Sequence, residues 1–154
     1  MTKEPKKYSE VLSKYKSKAE KVFTCPVVCL SFEGVVIEKI LDKSSDTISG
    51  KPVDGAFDFI LSLLPDIKTG IHKSGLMPVI YSSLSKDIKG INAMKSWFVS
   101  NGFPAEYISK DILFFPKTKP DSILNIDSKA FCFRGFFPDI NNIKNFCPWI
   151  PDGK

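Results

Sequence analysis

The stretch from Val27 to Val36, with the sequence Val-Val-Cys-Leu-Ser-Phe-Glu-Gly-Val-Val, indicates how the chain folds. Its first five residues are apolar or small and rich in valine, which is typical of a strand buried on both faces of a parallel sheet. Ser31, Glu33 and Gly34 then mark the carboxyl end of this strand. Because ligands bind at that end in open α/β sheets, a chemical site is expected to begin here.

The length and composition favour one globular core. The chain has 154 residues, of which 43% are hydrophobic, enough for one core and too few for two of ordinary size. No apolar run reaches the roughly 18 residues that a membrane helix needs, so a soluble protein without a membrane span is expected. The four cysteines form no Cys-x-x-Cys pair and no secretory leader is evident. This favours an intracellular, reducing setting, cytoplasmic or organellar (mitochondria included), over secretion.

The basic residues are almost all lysines. The formal charge is +5, and Arg134 is the only arginine. Lysine is a hydrated point charge, whereas arginine supplies the bidentate fork that specific recognition of phosphates or bases usually employs. The charge therefore indicates non-specific attraction to an anionic partner, or solubility alone, and no sequence-specific nucleic-acid binding is expected.

Residues 1–24 are predicted to form a basic amphipathic arm ahead of a domain over residues 25–154. Seven lysines lie in the arm, and its apolar residues recur at a spacing that favours a helix over 9–22. The helix could pack on the domain, dock on a partner or direct the chain to an organelle. Targeting segments are usually rich in arginine and poor in acidic residues, which disfavours the third interpretation.

Beyond the arm, predicted strands alternate with predicted helices. In chain order the elements are a strand over 27–30, a loop over 38–51, a helix over 53–68 that Pro65 ends or bends, a strand over 77–81, a helix over 87–100, short strands over 112–115, 123–126 and 130–133, and a helix that Asp139 caps and that ends near 145. This alternation predicts right-handed β-α-β crossovers and an α/β three-layer sandwich around a mainly parallel sheet. The strands over 27–30, 79–81 and 123–126 are expected to be neighbours.

The polar residues at the strand ends form an ordered series of short motifs. The motifs are Ser31-Phe32-Glu33-Gly34-Val35, Val53-Asp54-Gly55-Ala56, Ser82-Ser83-Leu84-Ser85, Lys119-Pro120, Ile126-Asp127-Ser128-Lys129-Ala130 and Phe133-Arg134-Gly135-Phe136-Phe137-Pro138. In order and spacing this series resembles the haloacid dehalogenase-like (HAD) superfamily of phosphatases, and within it the small capless members. The resemblance covers about residues 26–150 and implies a HAD-like, Rossmann-like fold.

The chain departs from the family pattern at the positions that carry chemistry. In the family, the first aspartate of the first motif attacks phosphorus, and that position is Ser31 here. A serine hydroxyl needs a base to become a nucleophile and brings no negative charge to hold Mg²⁺. The general acid/base position holds Glu33, one methylene longer than aspartate. Ser128 replaces the second acid of the later motif, and Leu84 replaces an arginine.

Three positions keep the family's residues. The resemblance assigns Ser82 and Lys119 to binding of the phosphoryl group and Asp127 to a residual metal site, although Asp127 could equally cap a turn through its own backbone. General acid/base catalysis contributes roughly 10²–10⁴ in rate, which does not replace a lost covalent step. The resemblance therefore implies a pseudoenzyme with no catalytic residue at the degenerate positions Ser31 and Glu33. Ser31, Ser82 and Ser128 could simply be polar residues that satisfy strand ends.

The sequence leaves three functions open. The first is a catalytically inactive, structural or binding subunit of a larger assembly, with protein partners (a ribonucleoprotein is one candidate) and no cofactor. The arm and the tail over 147–151, which contains Trp149, would supply contact surface. The second is a phosphatase with an altered nucleophile that depends on Mg²⁺. The third is a sensor of phosphate or nucleotide ends that uses Ser82 and Lys119 without turnover.

Overall fold

A computed structural model describes residues 25–38 and 48–149. The elements are β1 (Val27–Ser31), α1 (Ala56–Leu63), β2 (Met77–Tyr81), a 3₁₀ helix (Ser83–Lys86), α2 (Ile88–Ser100), α3 (Ala105–Ser109), β3 (Leu124–Ile126) and α4 (Ile140–Lys144). The predicted arm over 1–24 and most of the predicted loop over 38–51 lie outside the described residues. Among the residues described, none of the helices has the length and apolar character to cross a membrane.

The three strands form one open, all-parallel sheet in the order β2-β1-β3. The register pairs Val27 with Met77 along β2 and Val28 with Leu124 along β3. The predicted adjacency of these three strands is confirmed. Because β1 has a neighbour on each edge and side chains buried on both faces, it is the central strand that its continuous apolar run predicts.

The two faces of the sheet carry separate apolar clusters, since successive side chains of a strand point to opposite faces. Val28 and Leu30 contribute to the main cluster together with residues of α1, α2 and α3. Val27 and Cys29 form a smaller cluster with Val79, and in the described part of the chain no helix residue belongs to it. The fold is thus α/β with a small parallel sheet, and the second helical layer of the expected sandwich stays a prediction.

The best-defined helix is α2, which matches the helix predicted over 87–100. Asp87 caps it, its carboxylate accepting a hydrogen bond of 2.8 Å from the Gly90 N–H. Ile91, Met94 and Phe98 recur at helical spacing and are buried, as the predicted apolar stripe requires.

The other helix boundaries have local causes. The helix predicted over 53–68 is shorter, because α1 starts after Gly55, which has a left-handed φ of 81°, and ends before Leu64. Leu64 is extended, as a residue that precedes a proline tends to be, so Pro65 ends the helix as predicted. Asp139 caps α4 as predicted, accepting a bond of 2.9 Å from the Asn142 N–H.

Three of the shorter segments differ from the prediction. The strand over 112–115 is reduced to an isolated bridge between Val79 and Phe114. The strand predicted over 130–133 is wrong, since those residues form no strand and are exposed. The α3 helix was not predicted, because five residues are too few to show a helical period.

An aromatic cluster beneath the sheet anchors the end of β1. Phe32, between the two site positions Ser31 and Glu33, is fully buried. Its ring meets that of Trp97 edge to face at 5.1 Å and lies 6.1 Å from that of Phe98. Phe98 also packs against other rings of the cluster, those of Phe57, Trp97, Phe103 and Phe115.

Removing the central ring of this cluster tests how strongly it supports the fold. We expect Phe98→Ala to lower the free energy of unfolding by about 3–5 kcal/mol, because it leaves a cavity where several rings meet. The neighbouring Val99 is 42% exposed on the same helix, so Val99→Ala should change stability by no more than about 0.5 kcal/mol. Urea denaturation followed by tryptophan fluorescence measures both, and equal losses would contradict the cluster's role.

Candidate functional site

The carboxyl ends of the three strands open onto one cavity of about 250 Å³. All five site residues from the sequence analysis line it: Ser31, Glu33, Ser82, Lys119 and Asp127. They come from four separate parts of the chain, and the parallel sheet brings them to one edge because its strands all end on the same side. This edge of the sheet is the candidate functional site.

The turn after β1 fixes Ser31 and Glu33. The carbonyl of Phe32 accepts hydrogen bonds from the Val36 and Ile37 N–H groups at 3.1 and 3.0 Å, which closes the turn. The Ser31 hydroxyl donates to the Glu33 carbonyl at 3.3 Å. The proton of Ser31 is therefore directed at a backbone carbonyl, which cannot act as a base.

The carboxylate of Glu33 is tied to the end of β2. Its Oε1 accepts hydrogen bonds from the Ser82 and Ser83 hydroxyls at 3.3 and 3.4 Å. Both donors belong to the end of β2 and meet this one oxygen, so the longer side chain bridges the two loops. Glu33 thus has protein partners at the position where the resemblance implies a general acid/base.

Ser82 also has a structural role. Its hydroxyl oxygen accepts a hydrogen bond of 3.2 Å from the Leu84 N–H, which caps the 3₁₀ helix. Its own N–H donates to the buried Ser85 hydroxyl at 3.1 Å, which completes a capping box. The Ser82 hydroxyl could donate a hydrogen bond to an incoming anion only if it stopped donating to Glu33.

The loop after β3 carries Asp127 and Ser128. The Asp127 carboxylate accepts a hydrogen bond of 2.9 Å from the Lys129 N–H, which confirms the turn-capping alternative. Ser128 lies against the first loop, where its hydroxyl oxygen would collide with any Cβ at position 34. Gly34 has φ +76°, which L residues rarely adopt, and a side chain at this position would also displace the Ser128 hydroxyl.

The charges around the cavity nearly cancel. Two carboxylates, Glu33 and Asp127, and two lysines, Lys119 and Lys129, line it. Burial raises the pKa of the Cys29 thiol, the Lys119 ammonium lowers it to a smaller extent, and the Asp127 carboxylate raises it. A thiol with a raised pKa stays protonated near neutral pH and is a poor nucleophile, in keeping with the place of Cys29 in an apolar cluster of the sheet.

The donor set does not match the carboxylate cage that the resemblance implies for Mg²⁺. Ser31 and Ser128 offer neutral hydroxyls where the resemblance implies acids, and hydrogen bonds from protein groups engage both Glu33 and Asp127. Within the described residues, no three His, Cys, Asp or Glu side chains are grouped so that they could share a metal ion. We derive no metal-dependent step from these residues.

Sequence reasoning missed several residues of the cavity wall. Ser83, Asn125 and Lys129 line it, and each could have been found from its position next to, or two residues from, a predicted site residue. Leu84, at the position where the resemblance implies an arginine, packs against the main apolar cluster. Position 84 thus supplies no cation to this edge, and the cations that line the cavity are Lys119 and Lys129 from other loops.

Comparisons of the chain with known proteins add no assignment. No protein-family model, curated protein or solved structure matches it significantly. Any functional conclusion therefore depends on the geometry of the site and on the order of the motifs.

Substituting Gly34 tests the contact between the first and last loops. We expect Gly55→Ala, at a glycine with φ +81° and open space around it, to cost about 1–2 kcal/mol from backbone conformation alone. Gly34→Ala should cost more, because it adds the collision with Ser128. The excess should shrink when Ser128→Ala is combined with Gly34→Ala, which a double-mutant cycle by chemical denaturation measures. Equal costs for both glycines with no coupling to Ser128 would show that the loops do not touch.

Proposed function

We propose that the chain is a HAD-like pseudoenzyme that acts as a binding subunit of a larger assembly. The observation that carries this proposal is the composition of the carboxyl-edge cavity. Residues of four ordered motifs meet there, but the nucleophile position holds Ser31, whose hydroxyl donates to a backbone carbonyl. A fold can be retained while its chemistry is lost, because function depends on the site and not on the fold.

The chemistry of phosphoryl transfer explains why these residues are poorly suited to turnover. Nucleophilic catalysis by serine needs a base within hydrogen-bond reach of its hydroxyl. The Ser31 proton is directed at the Glu33 carbonyl, and the Oε1 of Glu33 accepts from Ser82 and Ser83. A phosphatase with an altered nucleophile would have to break these hydrogen bonds before its first step.

A sensor of phosphate groups is the second candidate. Lys119, Lys129 and the hydroxyls of Ser82 and Ser83 line the same cavity and are donors that a phosphate accepts from. The carboxylates of the cavity oppose an anion, and Ser82 already donates to one of them. Any phosphate bound here would compete with Glu33 for its donors, so we place this candidate second.

The partners in this proposal are proteins in an intracellular, reducing compartment. Cys29, Cys132 and Cys147 form no disulfide bond in the described part of the chain, which is the ordinary state of cysteines in such a compartment. The lysine-rich arm over 1–24 remains a proposed contact, on the basis of its sequence alone. A subunit of this kind needs neither Mg²⁺ nor another cofactor.

Hydrolysis of a generic phosphate ester tests the loss of catalysis. With p-nitrophenyl phosphate and Mg²⁺, we expect the wild-type chain and Asp127→Ala to release product at the same background rate, because the nucleophilic carboxylate is missing. Asp121→Ala is the matched control, since Asp121 is exposed and does not line the cavity.

One result would overturn the pseudoenzyme assignment. If the wild type and Asp121→Ala turn over the ester and Asp127→Ala does not, the carboxyl edge is an active site. The chain would then be a phosphatase with an altered nucleophile.

A further inference from the structure

The amino edge of the sheet, opposite the carboxyl-edge cavity, holds a thiol beside the single histidine of the chain. The Cys25 Sγ lies 3.8 Å from the Nδ1 of His72. Cys25 comes two residues before β1, and His72 lies in the segment that leads from α1 into β2. A cysteine next to an imidazole is the arrangement in which a thiol can lose its proton and act as a nucleophile.

The other ring nitrogen fixes the tautomer of His72. Its Nε2 lies 2.9 Å from the Leu63 carbonyl oxygen and 2.7 Å from that of Leu76. Because a carbonyl oxygen can only accept, Nε2 carries the proton of the neutral ring. Nδ1 therefore presents a lone pair, and the Cys25 thiol is the donor in the contact between them. His72 is thus oriented as a proton acceptor for Cys25.

Backbone and side-chain hydrogen bonds hold both partners in place. The Pro26 carbonyl accepts a hydrogen bond of 2.8 Å from the first N–H of β2, which ties the residue after Cys25 to that strand. The Ser74 hydroxyl accepts a hydrogen bond of 3.1 Å from the Leu76 N–H and so braces the segment that carries His72. The thiol and the ring therefore meet without a rearrangement of the backbone.

Exposure distinguishes this thiol from the other cysteines of the chain. Cys25 is half-buried, as is His72, whereas Cys132 and Cys147 are exposed and Cys29 is buried in the sheet. Access alone would make Cys132 and Cys147 the most reactive thiols. Activation by the histidine would instead favour Cys25, so the two exposed cysteines are references within the same molecule.

We propose that Cys25 is a modification site for hydrogen peroxide, with His72 as its proton acceptor. The proton of the Cys25 thiol passes from Sγ to Nδ1, and the thiolate attacks one peroxide oxygen. An S–O bond forms as the O–O bond breaks, and Nδ1 returns the proton to the leaving hydroxide. The products are a sulfenic acid and water, with the sulfur oxidised and the peroxide reduced.

A peroxide suits this pair better than a disulfide does. A half-buried sulfur is reached more easily by a molecule of four atoms than by a bulky disulfide that must align its S–S bond with the attacking thiolate. Hydroxide is also a far more basic leaving group than a thiolate, so it gains more from a proton donor at the site. The inference is independent of the proposed role as a binding subunit, because the pair lies at the other edge of the sheet.

The test exposes the full chain to hydrogen peroxide at pH 7 in the presence of dimedone, which traps sulfenic acids. Mass spectrometry of the digested protein measures the rate of labelling at each cysteine. Since an isolated thiol is only a few per cent thiolate at this pH, we expect Cys25 to be labelled at least about tenfold faster than Cys132 and Cys147.

Two variants separate the role of the ring from that of its surroundings. His72→Gln keeps an N–H group for the Leu63 and Leu76 carbonyls but has no basic nitrogen, and it should lower the labelling rate of Cys25 about tenfold. Ser74→Ala is the matched control, because it changes the same segment and leaves the contact between Sγ and Nδ1 intact. It should keep the fast labelling. Circular dichroism and thermal melting confirm that each variant folds.

Three outcomes would overturn the inference. Labelling of Cys132 and Cys147 as fast as that of Cys25 would show that exposure alone governs reactivity. Fast labelling of Cys25 that persists in His72→Gln would show that the ring is not the proton acceptor. A mixed disulfide formed at Cys25 with glutathione disulfide, without a dimedone adduct after peroxide, would assign the thiol to disulfide exchange.

Discussion

The position of β1 between two parallel neighbours is the constraint on which the rest of the structure depends. Its backbone pairs with β2 on one edge and β3 on the other. The Phe32 N–H continues the pairing one residue beyond the strand by donating to the Tyr81 carbonyl at 3.0 Å. The ring of Phe32 also packs in the aromatic cluster. Its neighbours Ser31 and Glu33 therefore face the carboxyl edge of the sheet, where they line the cavity.

At that edge, hydrogen bonds among protein groups hold the loops together. Glu33 links the end of β1 to Ser82 and Ser83 at the end of β2, and Ser128 contacts Gly34 from the loop after β3. Carboxylates at positions 31 and 128 would add two negative charges beside Glu33 and Asp127, and such a cluster needs a cation to be stable. Serines at both positions let the loops meet without one, so the edge is a structural junction with a cavity in its surface.

The sequence predicted those features that depend on a local pattern. The apolar run of β1, the stripe and Asp87 cap of α2, and the effect of Pro65 on the preceding residue are each encoded within a few neighbouring residues. The prediction of a strand over 130–133 was wrong, because it depended on more than a local pattern. The apolar residues there are exposed, and only the tertiary structure decides whether such a run pairs with a neighbouring strand. Lys129 lines the cavity because Asp127 caps the turn that places it there. From the sequence, this cap was only an alternative to a metal-binding role for Asp127.

Titration of Mg²⁺ into the isotopically labelled chain, followed by amide chemical shifts in NMR spectra, tests most directly whether this edge binds a metal ion. The wild type is compared with the variant that combines Ser31→Asp, Glu33→Asp and Ser128→Asp. We expect the amides of the three strand ends to stay unshifted in the wild type and to show saturable shifts in the variant, which regains a carboxylate cage for the ion. Saturable Mg²⁺-dependent shifts at residues 31, 33 and 127 of the wild type would contradict the proposal that this edge works without a metal ion.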